Sequence, residues 1–149
     1  MANHINHGQP WQSYRQISTQ TATSGQLVVM LYDGAIRFLE RALSGFSCQD
    51  PLEFNLTINN NVLRAQAIIS ELNSSLDQKQ GGQIAITLHR LYDYMDRCLS
   101  ESNCRKSQDG IQAALRHLTV LRDAWRTMLT QSSPSPGKEE QSAGLCICG

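Results

Sequence analysis

Four stretches of this chain carry apolar residues at helical spacing, each bounded by turn chemistry, and no apolar–polar alternation of useful length interrupts them. A strand needs period two and a helix period 3.6, so the pattern restricts the chain to an all-α fold. In the first stretch Leu27, Met30, Leu31, Gly34, Ala35, Phe38, Leu39 and Ala42 share one face, after a capping box of Thr23 and Gln26 and before a stop at Gly45. Gly34 and Ala35 in mid-stripe predict a neighbouring helix close by. Asp50, Pro51 and Glu53 supply an N-cap, a first-turn proline and a capping-box acid for the second helix. Its seam is Ile58, Val62, Ala65, Ile69, Leu72 and Leu76, in alternating steps of four and three, with Leu56, Leu63 and Ile68 beside it.

After Gly81-Gly82 a third stripe follows in Ile84, Leu88, Leu91, Tyr92, Met95, Cys98 and Leu99. The fourth, capped by Ser107 or Asp109, is Ile111, Ala114, Leu115, Leu118, Leu121, Trp125, Met128 and Leu129. Four helices of roughly twenty residues, about 30 Å each and joined by short turns, predict an antiparallel up-down four-helix bundle, with a domain-swapped dimer as the alternative. The expected organisation is a flexible N-terminal arm over 1–23, a bundle over 24–131 (helices 24–44, 51–76, 83–103 and 108–131), and a disordered tail over 132–149. Pro134, Pro136 and their polar neighbours carry too little apolar surface to offset ordering.

The 149 residues suit one core, and 13 basic against 13 acidic side chains leave no excess charge to hold a nucleic acid or an anionic membrane. With no membrane-length apolar run and a polar N-terminus, a cytoplasmic protein is expected. Cys48, Cys98, Cys104, Cys146 and Cys148 are an odd set without zinc-type spacing, so they read as reduced thiols and no structural metal is expected. Cys98 fits the third stripe as a small core residue, and Cys146-Ile147-Cys148-Gly149 is a poor prenylation box.

Catalytic signatures are missing from the sequence. A di-iron bundle needs paired Glu-x-x-His motifs; neither these, a phosphate loop, His-Glu-x-x-His nor Gly-x-Ser-x-Gly is present. The expectation is therefore a binding protein and not an enzyme, without cofactor. The chemical alternative is a phosphotransfer or adaptor bundle, for which His89 and His117 are the candidate histidines; both read as ordinary helix-surface residues. Asn59, Asn60 and Asn61 are unusual within a helix. Two are expected in solvent and one in a buried interhelical hydrogen bond, unless they contact a guest chain. Tyr32 and Tyr92, each followed by an aspartate, are expected half-buried with hydroxyls at the surface.

Between Tyr14 and Met128 several segments follow in a set order: Tyr14 with Thr21-Ala22, the run Leu27-Val28-Val29-Met30-Leu31-Tyr32-Asp33-Gly34-Ala35, Leu76-Asp77-Gln78 with Gly81-Gly82, Ile84-Ala85, and Leu91-Tyr92-Asp93-Tyr94-Met95. In order and spacing they resemble the FliS family of flagellin-specific secretion chaperones. Gly25 stands where that family usually has proline, and the tail to Cys148 is longer than usual. The resemblance implies a cytoplasmic monomer or homodimer that binds the disordered C-terminal segment of flagellin, prevents premature polymerisation and delivers it to the flagellar export gate. An anti-sigma regulator or a co-chaperone is a further partner of the kind it implies. A guest folding into amphipathic helices needs apolar grooves rather than a deep pocket. Leu56, Asn60, Leu63 and Ala67 on the second helix, with Ala85 and Tyr92 on the third, are the groove candidates. The resemblance also implies that the arm caps a groove, with Tyr14 and Ile17 as the plug a guest displaces.

Overall fold

The computed structural model describes residues 24–76 and 78–132, and these form four α-helices with no strand among them. They are α1 (Ser24–Ser44), α2 (Pro51–Ser74), α3 (Gln78–Arg105) and α4 (Asp109–Ser132), with a 3-10 turn at Gly45–Ser47 after α1. The arm residues Tyr14 and Ile17 and the tail cysteines lie outside the described residues.

The contacts between helices fix the topology. On α1 and α2, Gly34 faces Ile68 and Phe38 lies under the Arg64 guanidinium. On α2 and α3, Asn59 bonds to Asn103, Gln66 to Asp96 and Asn73 to His89. On α3 and α4, Ser102 meets Gly110 and Tyr94 meets His117. On α4 and α1, Arg122 pairs with Asp33 and Leu129 packs on Gly25. In each pair one index falls as the other rises, so all four adjacent pairs are antiparallel. The fold is the up-down-up-down bundle that short turns favour.

The core runs along the axis from Leu39, Ile58 and Ile111 to Tyr32, Ile69 and Leu118, with Met95 and Leu99 from α3. At Gly34 an added Cβ would stand 3.2 Å from Ile68 Cδ1, so this glycine permits the close α1–α2 approach expected of it. Helix α2 starts on the Asp50 cap, whose carboxylate accepts from the Glu53 N–H at 2.9 Å.

The third helix departs from its expected start and phase. It begins at Gln78, and within it Gly82 adopts φ 56°, ψ −130°, breaking the helical path. Beyond the break, Ile84, expected in the seam, is 72% exposed, while Ala85, seven residues before buried Tyr92, is itself buried and shares its phase. Cys98 is half-buried rather than fully enclosed, and Met128 near the end of α4 is exposed.

The α3–α4 corner is built on an unusual residue. Lys106 takes φ 53°, a left-handed conformation normally left to glycine, and Ser107 N–H returns to Ser102 O at 2.9 Å to close the helix end. The Lys106 ammonium donates to both the Asn103 carbonyl (2.7 Å) and its side-chain oxygen (2.8 Å), which offsets the strain. Beyond the corner, Gly110 N–H donates to the buried Ser102 Oγ at 2.8 Å. A side chain at 110 would run into the Cys98 carbonyl, so only glycine lets α4 start this close to α3.

Candidate functional site

The outward face of α2 carries a row of apolar side chains that the bundle does not bury. Leu52, Leu56 and Leu63 are 66%, 48% and 51% exposed, and they follow steps of four and seven along one side of the helix. The opposite side holds Ile58, Val62, Ala65 and Ile69, all in the core. Exposed Asn60 and half-buried Ala67 stand in the same outward row. From Leu52 to Ala67 the row is about 22 Å long at 1.5 Å per residue, the length of four helical turns.

Both edges of this row are defined. Toward α3 runs a ladder of amides at heptad spacing, Asn59, Gln66 and Asn73. Asn103 Nδ2 donates to Asn59 Oδ1 at 2.9 Å, and Gln66 Nε2 donates to Asp96 Oδ1 at 3.0 Å and Ser100 Oγ at 2.9 Å. Asn73 Oδ1 lies 2.7 Å from His89 Nδ1, while the other ring nitrogen of His89 lies 3.3 Å from Asp93. Toward α1 the edge is cationic and aromatic, with Arg41 and Arg64 each about one ring-width from Phe38 (5.6 and 5.8 Å). An apolar strip between a hydrogen-bonding edge and an Arg–Phe edge is suited to an amphipathic helix, which presents one apolar stripe with polar flanks.

Of the residues nominated from the sequence, Leu56, Asn60, Leu63 and Ala67 come together here. Ala85 and Tyr92 do not; each is 2% exposed within the bundle. Tyr92 instead hydrogen-bonds through its hydroxyl to Tyr32, which is fully buried, so these tyrosines are not the surface hydroxyls expected. The asparagines also sort differently. Asn61, the buried one, donates within its own helix to Thr57 O at 2.8 Å, and Asn59 makes the interhelical bond. Leu52 was missed, although its spacing of four before Leu56 marked it.

The two phenols whose pKa values burial raises lie inside the bundle and not on this surface. Burial raises the pKa of Tyr32 above its ordinary value of 10, against the hydrogen bonds from Tyr92 and Trp125. Burial likewise raises that of Tyr92, reinforced by Tyr32, so both phenols are neutral at physiological pH. Among the described residues no three His, Cys, Asp or Glu side chains gather as a metal site, and no helix is long and apolar enough to cross a membrane.

Residues 7–132 match the family model described as flagellar protein FliS. The chain is 32% identical over 135 residues to the flagellar secretion chaperone FliS of Bacillus subtilis, covering 91% of this chain and 94% of that protein. It is 31% identical to the protein of the same name from Salmonella typhimurium, over 81% of this chain and 90% of the relative. The Campylobacter jejuni protein of that name is also 31% identical, over 78% and 88%.

Proposed function

We propose, because this chain belongs to the FliS family of flagellar proteins, that it is a flagellar export chaperone whose guest is the C-terminal segment of flagellin. The observation that carries the reading is the exposed Leu52–Leu56–Leu63 row on α2, an apolar strip of helix length between two polar edges. The protein acts by covering that segment in the cytoplasm until the subunit reaches the export gate, which keeps it from polymerising early. Catalysis has no part in this. Covering requires only a surface whose affinity is sufficient to shield and weak enough to release.

Magnitudes constrain how the guest must bind. Covering three half-exposed leucines supplies about 1 kcal/mol each. Ordering a disordered segment on binding costs about 2 to 5 kcal/mol. The row alone therefore leaves little surplus, and the guest must extend beyond it or bring helix propensity of its own.

Calorimetric titration with a peptide of the same organism's flagellin C-terminal segment, with circular dichroism on the mixture, tests this. Saturable one-to-one binding with added helicity, abolished by Leu63→Asp, is the expected result. No binding at micromolar concentration, or binding indifferent to Leu63→Asp, rejects the α2 row as the guest site.

A further inference from the structure

The outer face of the α3–α4 pair has a chemistry the α2 row lacks. On α3, Ile86, Arg90, Tyr94 and Arg97 follow one another at steps of four, four and three, and all four are exposed. On α4, Arg116 and Val120 lie four apart, and Val120 is 67% exposed. The two helices meet on this face where the Tyr94 and His117 rings stand edge to face, 5.9 Å between centroids. Arg97 stands three residues after Tyr94 on α3 and Arg116 directly precedes His117 on α4, so an exposed arginine from each helix flanks this ring pair.

The ion pairs near this face leave three arginines out. Glu101 pairs with Arg105 and Asp123 with Arg122, while Asp93 and Asp96 accept hydrogen bonds from the neutral amides of Asn73 and Gln66. Arg90, Arg97 and Arg116 form no ion pair among the described residues. Three exposed arginines near an exposed tyrosine and two exposed aliphatics thus offer free guanidinium donors beside apolar surface.

We propose that this α3–α4 face is a second docking surface, separate from the α2 row, for an acidic amphipathic helical segment of a partner protein. Arg90 and Arg97 lie seven residues apart, about 10 Å along α3, so a helix with carboxylates at heptad spacing meets both while its apolar stripe covers Tyr94 and Val120. A protein segment fits better than an anionic bilayer. Glu101 and Asp109 stand at the α3–α4 corner, where a flat anionic surface would meet them, whereas a segment places its carboxylates on the arginines alone. The surface is independent of the flagellin reading, because its charge pattern and its helices are different.

The test uses the full chain and two synthetic 18-residue helical peptides with the same leucine spacing, one flanked by glutamates and one by lysines. Fluorescence anisotropy should show saturable binding of the glutamate peptide alone, weakened by added salt. The Arg97→Glu/Arg116→Glu variant should weaken it about tenfold or more. Arg97→Gln/Arg116→Gln should weaken it less, with an unchanged thermal midpoint for both variants. The α2 variant Leu63→Asp should bind the glutamate peptide as the parent does, so failure here is distinguishable from failure of the flagellin site. Equal binding of both peptides, or indifference to the arginine variants, overturns the proposal. Sedimentation with vesicles containing phosphatidylglycerol that is lost in the Arg97→Glu/Arg116→Glu variant, without peptide discrimination, also overturns it and identifies a lipid surface instead.

Discussion

The hydroxyls of Tyr32 and Tyr92 hydrogen-bond to each other inside the bundle, linking the diagonal helices α1 and α3. Removing either hydroxyl leaves the other buried without this partner. Tyr32→Phe and Tyr92→Phe should therefore each cost about 1 to 3 kcal/mol, and the double variant should cost less than their sum. Urea denaturation of the four proteins measures this; additive losses would show that the hydroxyls act separately.

The same pair sets a pH dependence. Burial raises both pKa values in the folded state, whereas the unfolded chain titrates its tyrosines near 10. The stabilisation is fully present below pH 10 and is lost progressively as pH rises past it, because only the unfolded form then releases these protons readily. Stability measured from pH 8 to 11 should fall more steeply in the parent protein than in the Tyr32→Phe/Tyr92→Phe variant. Equal slopes would mean that other groups govern alkaline unfolding.

Gly110 and Gly82 make a contrasting pair. A Cβ at 110 collides with the α3 backbone at Cys98, whereas one at 82 meets nothing within 4 Å and only the positive φ disfavours it. Gly110→Ala should lower stability by about 2 kcal/mol or more, through overpacking. Gly82→Ala should cost about 1 to 3 kcal/mol through backbone strain alone, since φ 56°, ψ −130° is closed to residues with a Cβ. Thermal denaturation of both variants measures the two losses.

Leu39→Ala should cost about 2 to 5 kcal/mol, since Leu39 is fully buried. Leu56→Asp should leave stability within about 0.5 kcal/mol while abolishing binding of the flagellin segment. Loss of stability in the second variant would return Leu56 to the structural framework.

The helices and their contacts were legible wherever local chemistry decided them. Asp50 and Pro51 mark the α2 start because a cap and a first-turn proline act on adjacent backbone, and the seam from Ile58 to Leu72 keeps one phase. Legibility failed where two phases competed or where distant residues joined. Ile84 stands four before Leu88 and Ala85 seven before Tyr92, and the bundle buries the second phase. Tyr32 and Tyr92 are sixty residues apart, and nothing in either neighbourhood announces the other. Half of the groove candidates share the α2 face, because an outward stripe follows from the same period as the seam. Ala85 and Tyr92 were harder to assign, since periodicity does not distinguish a core position from a groove wall.

The amide ladder along α2 and α3 and the Gly34–Ile68 contact hold the two sides of α2 by different physics. Side-chain amides are directional and specify one register between α2 and α3, whereas the close α1–α2 packing is non-directional and rests on shape. The leucine row of α2 thus stands on a helix whose rotation is fixed from one side and whose depth is fixed from the other.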